Sequence, residues 1–329
     1  MKAHGTLRRA ILLAIALALA GCAPSRIVDV PSANQDGRVR FLVLHFTDEN
    51  FERSLDLLTR PHENPVSAHY LVSRAGDLSR PSMASEALGL LPGGYGRPAP
   101  TVLRLVDEAR RAWHAGPSRF QGHELLNDDS IGIEIVYESL CAREPPRPAG
   151  ISPWEFEANC AYPPYPADQI AVVIQLAQEI IRRHPEIDAT RVVGHSDIQP
   201  ENKTDPGPRF PWAQLASAGV GAWYDAADAD YYRAYFAAHA PSILLLQEAL
   251  AAYGYGDEAS GTLDRRTRDL LFAFQCHFMP DHRTGRVDVE TAATLFALLA
   301  KYRNGELRGL RERHADLPAS PRPENSNVR

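Results

Sequence analysis

The stretch VVGHSDIQPENKTDPGPRFPW, residues 192 to 212, is the most informative part of this chain. It begins with a short apolar run typical of a strand and continues into a loop constrained by prolines. The loop carries His195, Lys203 and Asp205. Imidazole and carboxylate are ligands that zinc takes from proteins, and a catalytic zinc keeps one position open for water. The stretch therefore indicates a metal site. The alternative is a buried structural histidine beside an ordinary Asp-Pro-Gly turn.

Two further candidate residues lie in strand-like runs elsewhere. His45 ends FLVLH, residues 41 to 45, and a ligand at a strand end is held by a rigid element. Glu134 lies in the alternating run SIGIEIV, where its carboxylate faces either solvent or a site in which it can act as a general base. AWHAG, residues 112 to 116, adds His114 before a glycine turn. Each residue alone also has a structural interpretation, and their combination favours a catalytic zinc site.

Strands and helices alternate along the first two thirds of the chain. Strand-like runs occupy residues 40–46, 67–73, 130–139 and 191–195, and helical runs occupy 51–58 and 167–184. The longer helical run has apolar residues at helical spacing and arginines near its end, which suits the helix dipole. This alternation predicts an α/β fold with a mixed central sheet flanked by helices.

The sequence changes character after Trp212. Residues 213–238 are rich in alanine and tyrosine and predict a helix plus a connection. Residues 241–302 predict a small three-helix domain, in which Asp264 and Asp288 each precede an apolar helical run as an N-cap would. The two starts share the pattern Gly-x-x-Asp-x-x-Thr, which indicates an internal repeat. The polar tail beyond this region is predicted to be disordered.

The first 21 residues have the character of an export signal. A basic start is followed by an apolar run, residues 10–20, that is too short for a membrane span. LAGC, residues 19–22, resembles the bacterial lipobox, in which the chain is cut before the cysteine and Cys22 is lipidated. Ordinary signal-peptidase cleavage beside an incidental cysteine is the alternative. The residue after Cys22 is Ala23 and not an aspartate, as in similar lipoproteins that are sent to the outer membrane. We therefore expect a lipid anchor in the outer membrane, with the protein facing the periplasm.

Export places the other cysteines in an oxidising compartment. Cys141 and Cys160 flank a proline-rich segment. A disulfide between them would offset the ordering entropy of that segment, although two buried thiols also fit the sequence. Cys276 lies in an apolar helical run and is predicted to be a core thiol. The formal net charge of −6, without a basic stripe, gives no indication of nucleic-acid binding.

Five motifs occur in a family-specific order: FLVLHFT, VSAHYLVS, AWHAG, NDDSIGIEI and the stretch from Val192 to Trp212. In this order, over residues 40–215, the chain resembles the zinc-dependent N-acetylmuramoyl-L-alanine amidases of the type-2 family. Within that family it is similar to the outer-membrane lipoprotein amidases, which carry a small C-terminal peptidoglycan-binding domain. Residues 241–302 look like that domain, although their motifs are mostly helix caps and core leucines.

The resemblance implies a role for each matching residue. It implies a Zn²⁺ cofactor with the ligands His45, His195 and Asp205, a catalytic glutamate at Glu134 and an active-site lysine at Lys203. Glu134 would take a proton from water and pass it to the leaving amine, and Lys203 would stabilise negative charge on the former carbonyl oxygen. The bond cut would join N-acetylmuramic acid to the first L-alanine of the stem peptide. Three residues in matching motifs are assigned to substrate contact or to support of the ligands: His69, His114 and Asn127.

The expected layout has six parts. They are a signal peptide (1–21), a tether (22–38), a zinc amidase domain (39–215), a connection (216–240), a peptidoglycan-binding domain (241–303) and a disordered tail (304–329). We expect a monomer that binds peptidoglycan or muropeptides and meets the membrane through its N-terminal lipid. A non-catalytic lipoprotein that anchors the outer membrane to the wall is the alternative, and the complete ligand set argues against it. A zinc peptidase acting on the stem peptide is a third interpretation, and the absence of HExxH argues against it.

Overall fold

A computed structural model describes residues 37–79, 99–140 and 160–323, together with Asn34, Ser152 and Glu155. The predicted signal peptide, Cys22 and Cys141 lie outside the described residues. The described residues from Gly37 onward cluster as one compact unit. None of the described helices is both long and apolar enough to cross a membrane.

A mixed sheet forms the centre of the described chain. In chain order the described strands are β1 (Phe41–Phe46), β2 (Tyr70–Val72), β3 (Val102–Arg104), β4 (Arg119–Phe120), β5 (His123–Glu124), β6 (Ser130–Ile135) and β7 (Val192–Gly194). Five of them form the central sheet, in the order β3-β2-β6-β1-β7. The pairs β2–β6, β6–β1 and β1–β7 are parallel, and the edge strand β3 is antiparallel to β2. A separate hairpin joins β4 to β5. The mixed central sheet predicted from the sequence is therefore confirmed.

Helices cover both faces of this sheet. The predicted helices near residues 51–58 and 167–184 are α1 and α2, and Asn50 caps α1 by accepting from Arg53 N. Asp264 and Asp288 accept from the amides of residues 267 and 291, which confirms both predicted N-caps. In chain order the described helices are α1 (Phe51–Thr59), α2 (Ala167–Arg183), α3 (His195–Ile198), α4 (Trp212–Ser217), α5 (Ala226–Ala238), α6 (Ile243–Tyr253), α7 (Arg265–Phe278), α8 (Val289–Tyr302) and α9 (Asn304–Arg313).

The predicted repeat in the C-terminal helices is built on two buried glutamines. Gln247 accepts from Gly261 N at 2.7 Å and donates to Thr267 Oγ1 at 2.7 Å. Gln275 makes the same pair of bonds to the next glycine and threonine, at 2.8 Å each. In each copy, one amide side chain therefore holds the turn that precedes the following helix.

Successive side chains of strand β1 point to opposite faces of the sheet and pack into two different hydrophobic cores. Leu42 and Leu44 point into the core formed with α2, whereas Phe41 and Val43 belong to the core formed with helices α5 to α9. That second core continues through Phe274 of α7 and other apolar residues of the C-terminal helices. The helices after residue 225 therefore share a core with the sheet, and each side of the sheet is shielded from water.

The polar tail predicted to be disordered begins instead as helix α9. Leu307 and Leu310, three residues apart, are buried in the shared core, and Leu317 beyond the helix is buried with them. The hydroxyl of Tyr235 donates to Asp316 O at 2.7 Å. The prediction of disorder was wrong for the described residues 304–323. Most residues of this segment are polar or charged, but its few leucines are spaced so that they pack in the core.

The cysteine predictions have different outcomes. Cys276 is a buried thiol in α7, as predicted. Cys160 is disulfide-bonded, whereas its predicted partner Cys141 lies outside the described residues. Their pairing stays a prediction.

A partly buried carboxylate ties the end of α2 to the sheet. Glu108 accepts from Tyr70 Oη at 2.6 Å, from Arg183 Nη2 at 2.6 Å and from His184 Nε2 at 2.7 Å. Burial alone would raise the pKa of Glu108, but these hydrogen bonds outweigh it and lower the pKa to about 2. The ionised form of Glu108 is therefore more stable in the folded chain than in the unfolded chain.

We expect Glu108→Gln to lower the free energy of unfolding by about 1–2 kcal/mol at neutral pH, a figure reduced for the solvent exposure of Arg183. Because the pKa is depressed on folding, this contribution is complete above the ordinary carboxyl pKa and disappears as pH falls toward about 2. Urea unfolding from pH 3 to 8, with chelator present so that metal release does not contribute, measures it.

The matched control for this measurement is Glu179→Gln. Glu179 lies on α2 together with Arg183 and forms only a weak surface ion pair with it, at 3.9 Å. We expect it to change stability little at any pH. A Glu108→Gln deficit that is equally large at pH 3 and pH 7 would contradict the assignment.

Candidate metal centre

The register of three parallel strands brings distant residues to one level. In the β1–β6 pair, His45 lies beside Glu134. In the β1–β7 pair, Leu44 lies beside Gly194, so the next residue of each strand, His45 and His195, also become neighbours. Carboxyl ends of parallel strands meet at one edge of a sheet, where ligands commonly bind. Residues separated by up to 150 positions along the chain therefore converge there.

Three ligand-type atoms converge at this edge. His45 Nδ1 lies 3.0 Å from His195 Nδ1 and 3.0 Å from Asp205 Oδ2, and the last two atoms are 3.2 Å apart. All three residues are buried, and among the described residues they are the group close enough to share a metal. A zinc ion with ligands at about 2.0–2.1 Å in tetrahedral geometry spaces them about 3.3 Å apart. Two imidazoles and a carboxylate at this spacing fit zinc.

The electrostatics of the triad keep these atoms available as ligands. Burial lowers the pKa of His45 to about 4, and the nearby His195 adds to the shift, so the imidazole is neutral at pH 7. Burial alone would raise the pKa of Asp205, but the two histidines hold it well below its usual range. Metal ligands must be deprotonated, and both groups meet that condition near neutral pH.

A chain of hydrogen bonds orients the ring of His45. Its Nε2 lies 3.0 Å from His114 Nδ1, and His114 Nε2 lies 3.3 Å from Ser130 Oγ. If His45 Nδ1 is the ligand atom, its Nε2–H donates to His114, and His114 in turn donates to the serine hydroxyl. That hydroxyl donates onward to the carbonyl of Leu126. Such partners fix the tautomer and orientation of a ligating histidine.

The other two residues of the supporting set lie outside the pocket lining. Asn127 Oδ1 accepts from the amides of His114 and Ala115, at 2.9 and 2.8 Å. His69 is buried, with Nδ1 accepting from Gly132 N at 3.0 Å and Nε2 within 3.1 Å of Arg110 O. Of the two assignments left open by the sequence, support of the ligands fits both residues, whereas His114 reaches the pocket itself.

A pocket of about 190 Å³ opens beside the triad. Glu134 lines it, and its Oε2 is buried with no hydrogen-bond partner among the described residues. Burial, reinforced by the negative charge of Asp205, raises the pKa of Glu134 well above its usual range, and Lys203 opposes the rise. A bound divalent cation would also favour the charged form. Lys203 lines the same pocket, and half-exposed Trp113 lies at its rim.

The loop that carries Asp205 is held by contacts that sequence reasoning missed. The hydroxyl of Tyr165 donates to Pro206 O at 2.8 Å, and Ser196 N donates to Asp205 O at 2.9 Å. Gly194 also approaches this loop so closely that an added Cβ would lie 2.6 Å from Pro206 Cδ. No local motif marks Tyr165, because its partner lies 41 positions away.

Two family models and several known proteins match this chain. A family model described as N-acetylmuramoyl-L-alanine amidase matches residues 35–208, and a model described as a putative peptidoglycan binding domain matches residues 239–295. The chain is 38% identical over 303 residues to the N-acetylmuramoyl-L-alanine amidase AmiD of Escherichia coli K12, covering 88% of this chain and 97% of that protein.

Two solved structures resemble the whole fold. One is AmpDh3 of Pseudomonas aeruginosa in complex with an anhydromuramic pentapeptide, with a TM-score of 0.69 and 38% identity over 84% of this chain and 97% of that one. The other is Escherichia coli AmiD in complex with the substrate anhydro-N-acetylmuramic acid-L-Ala-D-gamma-Glu-L-Lys. Its TM-score is 0.62, with 37% identity over 82% of this chain and 92% of that one.

We expect Gly132→Ala to disturb the metal centre through His114. An added Cβ at Gly132 would lie 2.5 Å from His114 Cγ, so the ring that orients His45 must move. Overpacking of this kind costs about 1–3 kcal/mol, and loss of a ligand's supporting contact typically weakens metal binding about 10- to 100-fold. Zinc affinity, measured by competition with a chromophoric chelator, and thermal unfolding test both effects.

The control for this substitution is Gly305→Ala in α9, where an added Cβ meets nothing within 4 Å. It should leave zinc affinity unchanged. Wild-type zinc affinity in Gly132→Ala would show that the His114 ring does not govern the centre.

Proposed function

This chain belongs to the N-acetylmuramoyl-L-alanine amidase family, and we propose that it performs the reaction with one zinc ion held by His45, His195 and Asp205. It is an amidase that hydrolyses the bond between N-acetylmuramic acid and the first L-alanine of the peptidoglycan stem peptide, in cell-wall turnover or recycling. The observation that carries the zinc proposal is the convergence of three ligand-type atoms within 3.0–3.2 Å of one another. Beside them lies a buried carboxylate oxygen that has no hydrogen-bond partner in the described part of the chain.

The residues around the pocket suit the steps of amide hydrolysis. When bound, zinc supplies Lewis acidity, which lowers the pKa of water toward about 7 and polarises a carbonyl. Glu134 accepts a proton from the attacking water as the new C–O bond forms, and returns that proton to the departing nitrogen as the C–N bond breaks. No described residue bonds to its Oε2, which leaves this atom available for the exchange. Lys203, at the same pocket, carries the charge that stabilises the negative oxygen of the tetrahedral intermediate.

The substrate and the cellular setting complete the proposal. The chain binds muropeptides or peptidoglycan, and support comes from relatives with bound anhydromuramyl peptides and from the match to a peptidoglycan-binding model. We propose that residues 241–303 contact the wall and that residues 22–38 tether the enzyme to a lipid on Cys22. The chain would then act as a monomer at the periplasmic face of the outer membrane.

A pair of substitutions separates proton transfer from metal binding. We expect Glu134→Ala to lower kcat by about 10²- to 10⁴-fold and to retain zinc, because the carboxylate exchanges protons without ligating the metal. His195→Ala should lose both activity and zinc, because it removes one of the three ligands. Zinc content by elemental analysis, together with turnover of a muropeptide, measures the difference.

The control for these variants is Glu312→Ala, an exposed glutamate of α9 remote in sequence from the pocket residues, which should behave as wild type. Turnover by Glu134→Ala at a rate near that of wild type would contradict the proton-transfer role.

The bond that is cut can be read from the products. Lipid-free mature protein is incubated with purified sacculi and, separately, with an anhydromuropeptide, and the released fragments are analysed by mass spectrometry. We expect intact stem peptides beginning with L-alanine, and none after chelation. Fragments cut within the stem peptide would overturn the bond assignment, and bound sacculi with no release from either substrate would favour an anchoring protein.

A further inference from the structure

A buried carboxylate lies directly behind the metal centre. Asp197 is only 1% exposed and follows the ligand His195 by two residues in the short helix α3. Its Oδ2 accepts from Gly194 N at 2.6 Å and lies 2.7 Å from His277 Nδ1. Its Oδ1 accepts from Tyr255 Oη at 2.6 Å. A buried carboxylate is costly unless hydrogen bonds satisfy it, and two of these three bonds come from the C-terminal helical region.

Asp197 controls the backbone that carries two of the three ligands. Its bond to Gly194 N closes the turn that contains His195. In the same turn, Ser196 N donates to the carbonyl oxygen of Asp205 at 2.9 Å. A shift of Asp197 therefore moves His195 directly and Asp205 through the intervening amide. His45, on strand β1, is held independently by the sheet.

The imidazole of His277 is held firmly in place. Trp212 stacks on it with ring centroids 3.8 Å apart and planes at 14°, and Phe278 stacks with centroids 4.0 Å apart and planes at 15°. Its Nε2 is buried without a hydrogen-bond partner in the part of the chain that the structure describes. Its Nδ1 faces Asp197, and a carboxylate can only accept, so the hydrogen of this bond lies on Nδ1. His277 is thus a fixed donor aimed at Asp197.

We propose that Tyr255 and His277 are positioning residues for the metal centre, which act through Asp197. The C-terminal helices then have a second task besides contact with the wall, since they complete the support of His195 and Asp205. The inference rests on the proposed zinc-dependent function. It explains why two polar side chains of this region are buried against the amidase loop instead of facing solvent.

The test compares single substitutions in the full-length mature protein. Tyr255→Phe removes one hydroxyl, and His277→Leu removes the other donor at similar volume. We expect each to weaken zinc affinity about 10-fold or more and to lower kcat, with KM for an anhydromuropeptide unchanged. His277→Asn places an amide N–H near the position of Nδ1 and should restore most of the affinity. Zinc affinity is measured by chelator competition, well below each variant's melting temperature.

The matched control is Tyr253→Phe, because Tyr253 is buried nearby and its hydroxyl makes no hydrogen bond to Asp197 among the described residues. It should bind zinc as wild type does. Variants of Tyr255 and His277 that melt earlier but keep wild-type zinc affinity and kcat would overturn the inference and leave these residues a stabilising role alone. A wild-type protein that neither binds zinc nor cleaves the substrate would overturn the proposed function itself, together with the inference.

Discussion

Parallel pairing of β1 with both β6 and β7 is the constraint on which the remaining structure depends. This pairing places His45 beside Glu134 and brings His45 and His195 together one residue beyond the Leu44–Gly194 pair. The three side chains proposed for metal binding and proton transfer therefore meet at one edge of the sheet. A slip of one residue in this register would turn every side chain of the strand to the opposite face. Close packing of Phe41 and Val43 in one core, and of Leu42 and Leu44 in the other, opposes such a slip.

Burial serves the site in two ways. It lowers the pKa of His45, so that the imidazole stays neutral as a metal ligand must be, and it raises the pKa of Glu134. The same burial makes an unpaired polar group costly. Ser130 and Asn127 pair with His114 on one side of the triad, and Asp197 pairs with Gly194 N on the other. The C-terminal helices supply the shared core for the sheet and the donors for Asp197, so packing and electrostatics at the site come from the same elements.

Much of this site could be predicted from local sequence. His45 follows an apolar strand-like run, His195 follows another, and Asp205 lies in a proline-constrained loop, so type, spacing and order of residues suffice to propose a metal centre. The mixed sheet and the N-caps follow from periodicity and capping chemistry in the same way. The contacts of Asp197 could not be predicted, because Tyr255 and His277 are 58 and 80 positions away and no short motif records such pairings. The packed tail was missed for a related reason, since charged residues dominate the composition around its few buried leucines.

The central claim is that strand register assembles one zinc site from two imidazoles and a carboxylate. X-ray absorption at the zinc edge, on purified mature protein loaded with one equivalent of zinc, tests it most directly. The account predicts one tightly bound zinc per chain, with nitrogen and oxygen neighbours at about 2.0–2.1 Å and the multiple scattering of two imidazoles. A sulfur neighbour at about 2.3 Å, or zinc that dialyses away from the folded protein, would contradict it.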